Sequence, residues 1–73
     1  MFEVGQEVWY PISVQSERGW FLEVTGGRVV SAGPVSVCIY SDAGEVVFIE
    51  PKRVRGDFRQ AQMLCEKLSL NAF

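Results

Sequence analysis

Apolar and polar residues alternate with a period of two through the first two thirds of this 73-residue chain. Between Phe2 and Val14 the large apolar side chains fall on even positions, and Trp9 is an aromatic exception on the odd ones. This alternation is typical of a β-strand with one buried face. Pro11 indicates that the strand bends or runs along a sheet edge at that point.

Turn signals divide the region that follows into further short strands. The pair Gly26 and Gly27 predicts a two-residue hairpin turn, because glycines accept the positive φ that tight hairpins need. The predicted strands after the first cover residues 20–25, 28–32, 35–40 and 45–50. The last one is apolar on both parities at its centre, which indicates a strand covered on both faces.

The pattern changes at Pro51, where helical spacing replaces the period of two. Residues 51–54 predict a single tight turn, and Asp57 is the predicted N-cap of a helix over residues 57–70. One side of this helix is apolar and carries Phe58, Ala61, Leu64, Cys65, Leu68 and Ala72. Met63 and Leu70 lie seven positions apart, on a line away from that side.

Five short strands with tight turns favour a closed or nearly closed barrel, since closure removes exposed strand edges. The step from a strand through proline to a tight turn at residues 48–54 resembles the end of SH3-like barrels. We therefore predict one mainly-β domain over residues 1–73, with a five-stranded SH3-like barrel at 2–55 and one C-terminal α-helix. A barrel followed by a short helix is also similar to many small proteins of phages and mobile elements.

Composition narrows the class of function. Apolar residues make up 48% of the chain, a large share for a domain whose small size limits its core. Some apolar side chains are therefore expected at the surface, as they are in interaction sites. Histidine is absent, and with it the commonest general base and zinc ligand. We predict no catalytic residue, no metal site and no cofactor.

One enzyme family offers a direct comparison with the last predicted strand. The type II dihydrofolate reductases are SH3-like barrels of similar length that assemble a shared active pore as tetramers. Their pore strand reads Val-Gln-Ile-Tyr-Pro, and Val47–Pro51 occupies a similar place in this chain. The functional Gln and Tyr are replaced here by Phe48 and Glu50, so the resemblance does not extend to the reductase activity. We predict that the chain is not an enzyme.

Exposed aromatic residues are the main candidates for partner contacts. In SH3-like and Tudor-like barrels, aromatic side chains at strand ends form grooves for peptides or cages for cations. Trp20 and Phe21 are consecutive, so on a strand their rings point to opposite faces and one of them leaves the core. The predicted partner-binding residues are Trp9, Tyr10, Trp20, Phe21, Tyr40, Met63 and Leu70.

Charge divides the chain where the periodicity does. Residues 1–50 contain two basic and seven acidic side chains, a balance of −5, and residues 51–73 contain five basic and two acidic ones, a balance of +3. The basic segment supports an alternative function in nucleic-acid binding. Its candidate residues are Lys52, Arg53, Arg55 and Arg59. The whole chain is acidic, with a pI near 4.9, which favours a protein partner instead.

The leading prediction is a non-catalytic protein-interaction module, of the kind that phages or mobile elements use as inhibitors or adaptors of a host protein complex. A second alternative is an oligomeric ligand-binding protein or enzyme whose site forms at subunit contacts. No segment is apolar enough for a membrane span, so no membrane partner is predicted.

Cysteine usage and the N-terminus indicate the compartment. Cys38 and Cys65 are too few for a disulfide framework, and they are either free buried thiols or one disulfide between helix and barrel. Both readings fit a cytoplasmic protein. Residues 1–4 lack the pattern of a signal peptide, which favours the same location.

Overall fold

A computed structural model describes residues 2–72 of the chain and the side chains of residues 2–70. The fold is mainly β, and each strand pairs antiparallel with the next one in the sequence. The elements are β1 (Glu7–Ser16), β2 (Gly19–Ala32), β3 (Val37–Ser41), β4 (Val46–Ile49), a 3₁₀ turn (Pro51–Arg53) and α1 (Phe58–Ala72). Over these residues no helix has the length and apolar character needed to cross a membrane.

The number of strands differs from the prediction, because the sheet has four strands and curves into a half-barrel. The hairpin turn predicted at Gly26 and Gly27 is wrong, since both residues lie inside β2, which runs unbroken for 14 residues. A Cβ atom added at Gly27 would lie 2.6 Å from the Ile39 side chain and from the Tyr40 carbonyl oxygen. The glycines therefore permit close packing between strands rather than a change of direction.

β2 is long because it pairs with two strands in succession, first with β1 and then with β3. Residues 19–28 of this strand pair with β1, and residues 27–32 pair with β3. The register shifts between Val29 and Ser31, as at a β-bulge, which bends a strand and increases its twist. The resulting curvature encloses a core of Val8, Tyr10, Val29, Val37, Ile39 and Val54.

The segment after β4 returns the chain to the free edge of β1. The tight turn predicted at Pro51 is confirmed as a 3₁₀ turn, in which the Val54 N–H donates to the Pro51 carbonyl. Trp9 and Arg55 then donate backbone N–H groups to each other's carbonyl oxygens, both at 2.8 Å. This bridge joins the two ends of the half-barrel and holds the start of α1 beside β1.

The helix α1 packs on the outer face of the β1–β2 hairpin. Its main contacts are with β1 and β2, and the predicted start is confirmed by the Ala61 N–H, which donates to the Asp57 carbonyl at 3.1 Å. Ala61 and Cys65 are buried. Tyr10 and Pro11 are consecutive and both buried. Because neighbouring strand residues point to opposite faces, the core covers one face of β1 and α1 covers the other.

The prediction that the strand over residues 45–50 is covered on both faces is therefore wrong. Val46 and Phe48 of β4 are 57% and 70% exposed. β4 is the last strand of the sheet, and α1 lies on the hairpin at the other end of the meander. Phe58, predicted on the buried side of the helix, is 48% exposed.

Candidate protein-binding surfaces

The β1–β2 hairpin extends past the part of β2 that pairs with β3, and a two-residue turn ends it. The Ser16 hydroxyl accepts a hydrogen bond from the Arg18 N–H at 3.3 Å and donates one to the Gly19 carbonyl at 3.0 Å. Gly19 has a φ of +113°, a conformation that glycine adopts without a steric penalty. These bonds fix the direction in which the following residues leave the turn.

Two consecutive aromatic residues come directly after this turn. Trp20 is 58% exposed and lies opposite Gln15, and Phe21 is 43% exposed and lies opposite Val14. Their rings point to opposite faces of the hairpin, because successive strand residues do so. We name Val14, Trp20 and Phe21 the hairpin tip. It presents apolar surface on two sides.

An open groove of about 910 Å³ lies between β2 and α1, and we name it the helix groove. Its strand wall consists of Leu22, Glu23 and Val24. Its helix wall consists of Phe58, Gln62, Cys65, Glu66, Ser69 and Leu70. The helix residues recur at the spacing of one α-helical face, so a single stripe of α1 looks onto the groove.

The charged residues of the helix groove are both acidic. Burial raises the pKa of the Cys65 thiol, and the carboxylates of Glu66 and Glu23 raise it further. A thiol with a raised pKa stays protonated at neutral pH and is a poor nucleophile. Both cysteines are free and buried, which confirms that alternative of the sequence prediction.

A third apolar surface covers the outer face of the last two strands, and we name it the outer patch. Tyr40 lies opposite Val46, and Cys38 lies opposite Phe48. Tyr40 is 53% exposed, so this patch holds one residue that the sequence identified as a candidate. Phe48, which is 70% exposed, was not among the candidates.

Two basic side chains of the segment 52–59 make contacts within the chain itself. The Lys52 ammonium lies 3.3 Å from the Glu50 carboxylate, at the surface. The Arg55 guanidinium donates to the carbonyl oxygens of Lys52 at 2.5 Å and Val54 at 3.0 Å. Arg53 and Arg59 are exposed. Through these two bonds Arg55 caps carbonyl groups at the carboxyl end of the 3₁₀ turn.

The seven predicted partner-binding residues do not form one surface. Tyr10 is 1% exposed and belongs to the core, so it is not accessible to a partner. Trp9 is half-buried, with its indole Nε1 3.2 Å from the position that a Cβ on Gly26 would take. Met63 is 63% exposed on α1, outside the helix groove, whereas Leu70 lines that groove.

Sequence reasoning missed most of the helix groove. Glu23 alternates with apolar residues in a predicted strand, and Glu66 lies away from the apolar side of the predicted helix, so neither was a candidate site residue. A signal was present in α1, where the apolar Phe58 and Leu70 lie on either side of Glu66 at helical spacing. Finding the groove required knowing which face of the hairpin α1 covers, and periodicity does not contain that information.

Comparisons with protein-family models, with curated proteins and with solved structures found no match for this chain. The resemblance to SH3-like barrels and to small phage proteins therefore gains no support from them. The structure supports a coarser description, a half-barrel of four antiparallel strands with a C-terminal helix.

Proposed function

We propose that this chain is a non-catalytic protein-binding module. The observation that carries the proposal is the adjacent exposure of Trp20 and Phe21 on opposite faces of a hairpin that extends past the core. Large aromatic side chains dominate the binding energy of protein interfaces, where a partner covers them. Two such rings side by side at a hairpin end form an anchor that enters a cleft of the partner.

The module acts as an inhibitor or adaptor of a larger protein complex, as the small phage and mobile-element proteins of similar architecture do. Its acidic balance of −5 over residues 1–50 favours a partner with a basic surface. Free buried thiols are compatible with a reducing compartment, so we place the protein in the cytoplasm.

Site-specific photo-crosslinking in the cells that produce the protein tests this function. A photoreactive phenylalanine derivative replaces Trp20 in one variant and Val35 in another. Val35 is 80% exposed and lies outside the hairpin tip, which makes it a matched control. We expect a covalent adduct with one protein at position 20 and none at position 35. Adducts with nucleic acid, the same adducts at both positions, or none at all would contradict the proposal.

Truncation of the anchor gives a second readout with the purified partner. We expect Trp20→Ala or Phe21→Ala to weaken binding by at least about tenfold, since hot-spot truncations cost about 2 kcal/mol or more. Val35→Ala, as the control, retains the affinity of the unmodified chain. Circular dichroism of each variant checks that the domain is still folded. Equal affinities for all three variants would show that the hairpin tip does not lie in the interface.

A further inference from the structure

The part of β2 next to the helix groove has an open edge. Residues 19–28 pair with β1 on one side, whereas pairing with β3 on the other side begins only at residue 27. The Asp42 N–H donates to the Gly26 carbonyl at 2.9 Å, which is the last bond on that side. Within residues 2–72, the segment 20–25 therefore has a strand neighbour on one side only.

The open edge presents the backbone groups of every second residue. In an antiparallel sheet the N–H and C=O of one residue point to the same side, and those of the next residue point to the other. The Gly26 carbonyl points away from β1, so the groups of Trp20, Leu22 and Val24 do as well. Among residues 2–72, no hydrogen bond outside the helices and strand ladders involves the backbone of Trp20, Leu22 or Val24.

The helix groove lies beside this edge and matches the length of a short strand. Leu22 and Val24 line the groove, opposite the stripe of α1 that runs from Phe58 to Ser69. That stripe covers about 16 Å at 1.5 Å per residue. The edge from Trp20 to Val24 covers about 14 Å at 3.4 Å per residue. An extended segment of about five residues fits both walls.

The charges and apolar surfaces of the groove define the chemistry of such a segment. Side chains on the α1 side of an added strand meet Phe58, Val24 and Leu70, which are apolar. Glu23 follows Leu22 in the strand and points to the opposite face, and Glu66 lies on the helix wall. Positive side chains at alternate positions complement the Glu23 carboxylate. A positive side chain at the end of the apolar series reaches the Glu66 carboxylate.

We propose that the helix groove binds an extended segment of a partner protein that adds as a strand to the open edge of β2. The segment alternates apolar residues, directed to α1, with lysine or arginine on the side of Glu23, and a further basic residue ends the apolar series beside Glu66. This inference rests on the proposed protein-binding function and specifies its ligand. Main-chain hydrogen bonds supply affinity in strand addition, and the alternate side chains supply selectivity.

Nuclear magnetic resonance with synthetic peptides tests the proposal on the full chain. The probe is an acetylated and amidated peptide, about seven residues long, in which valine and lysine alternate and a lysine takes the place of the last valine. A peptide of the same composition with the lysines first and the valines last removes the alternation. A third peptide has glutamate in place of lysine. We expect the alternating basic peptide alone to bind, and to slow hydrogen exchange of the Trp20, Leu22 and Val24 amides by at least about tenfold.

Charge-reversed variants separate the groove from the general acidity of the chain. Glu23→Lys with Glu66→Lys is expected to weaken binding of the alternating basic peptide by about tenfold. Glu7→Lys with Glu45→Lys changes the net charge equally at exposed positions outside the groove, and is expected to weaken it by about twofold at most. Equal weakening in both pairs, equal binding of the rearranged peptide, or unprotected edge amides would overturn the proposal.

The two proposals fail separately. A protein adduct at position 20 together with unprotected Leu22 and Val24 amides keeps the protein-binding function and rejects strand addition. Peptide binding with protected edge amides supports strand addition even where the hairpin tip yields no adduct. Absence of both results rejects both proposals.

Discussion

Single atoms at the paired glycines of β2 decide how closely the strands approach. A Cβ atom on Gly26 would lie 2.8 Å from the Asp42 carboxylate and 3.2 Å from the Trp9 indole nitrogen. At Gly27 the obstacle is a backbone oxygen, that of Tyr40, which a side-chain rotation cannot remove. The bend of β2 over the core therefore depends on the absence of a methyl group at Gly27.

Gly27→Ala is expected to lower the free energy of unfolding by about 1–3 kcal/mol, because the added methyl group overpacks a filled site. The matched control is Gly33→Ala, where the nearest atom, the Ser36 carbonyl oxygen, lies at an ordinary 3.5 Å. That change is expected to stay within about 0.5 kcal/mol. Urea denaturation of both variants measures the difference, and similar values for the two would show that the approach at Gly27 does not constrain the sheet.

Tyr10 carries a phenol into the core, and the surroundings favour its protonated form. Burial raises the pKa of this phenol, and the charge of Asp42 raises it further. In the unfolded chain the pKa returns to about 10. Above that pH the unfolded chain loses the proton first, so folding stability falls as the pH rises.

Tyr10→Phe is therefore expected to flatten the loss of stability above about pH 10, since the variant has no phenol to ionise at this position. Below that pH both chains have the same pH dependence. Tyr40→Phe, which changes an exposed phenol, is the control and is expected to keep the alkaline loss. Denaturant titrations at neutral and alkaline pH measure how the free energy of unfolding depends on pH. The same alkaline loss in Tyr10→Phe as in the unmodified chain would contradict the expectation.

At the scale of elements, local signals predicted well wherever backbone chemistry decides the outcome. The alternation of β1, the turn between the predicted strands at 35–40 and 45–50, the 3₁₀ turn and the start of α1 all follow from such signals. Gly44 has a φ of +85°, and its N–H donates to the Ser41 carbonyl. Prediction failed at Gly26 and Gly27, because paired glycines serve a tight turn and a close packing contact equally well.

The placement of α1 is the element-scale feature that periodicity does not determine. An amphipathic stripe shows which side of a helix is buried but not which surface buries it. Trp9 and Pro11, on the odd positions of β1, were the visible sign that its second face is covered. The exposure of Trp20 or Phe21 was predictable from their adjacency, whereas the helix groove depends on where α1 lies.

Two neighbouring residues of α1 test this packing. Leu64→Ala is expected to cost about 1–2 kcal/mol of unfolding free energy, because this half-buried side chain lies on the helix side that faces the hairpin. Met63→Ala removes a comparable side chain that is 63% exposed, and is expected to change stability by about 0.5 kcal/mol or less. Thermal or urea unfolding measures both losses. Equal losses would show that α1 is rotated about its axis relative to the packing described above.

At the scale of the whole molecule, the exposed hairpin end is separated from the residues that hold the fold together. The molecule is elongated, measuring 36 × 22 × 21 Å. The core lies where β2 bends between β1 and β3, and the hairpin tip lies where β2 has only β1 as a neighbour. The proposed binding site and the core therefore lie in different parts of one small chain.

This separation predicts unequal losses of stability for two truncations. Ile39→Ala is expected to cost about 2–5 kcal/mol, because the side chain is fully buried at the centre of the core. Trp20→Ala removes a larger side chain and is expected to cost about 1 kcal/mol or less. Urea unfolding of both variants checks the order of the two values, and a greater loss for Trp20→Ala would show that the hairpin end supports the core.

The contact between Trp9 and Gly26 also has a spectroscopic consequence. The chain has two tryptophans, one half-buried against β2 and one 58% exposed beyond the turn. The emission of Trp9 changes when the sheet opens, whereas that of Trp20 changes when another molecule excludes water from it. Single-tryptophan variants, Trp20→Phe and Trp9→Phe, thus provide one optical reporter of folding and one of complex formation within the same molecule.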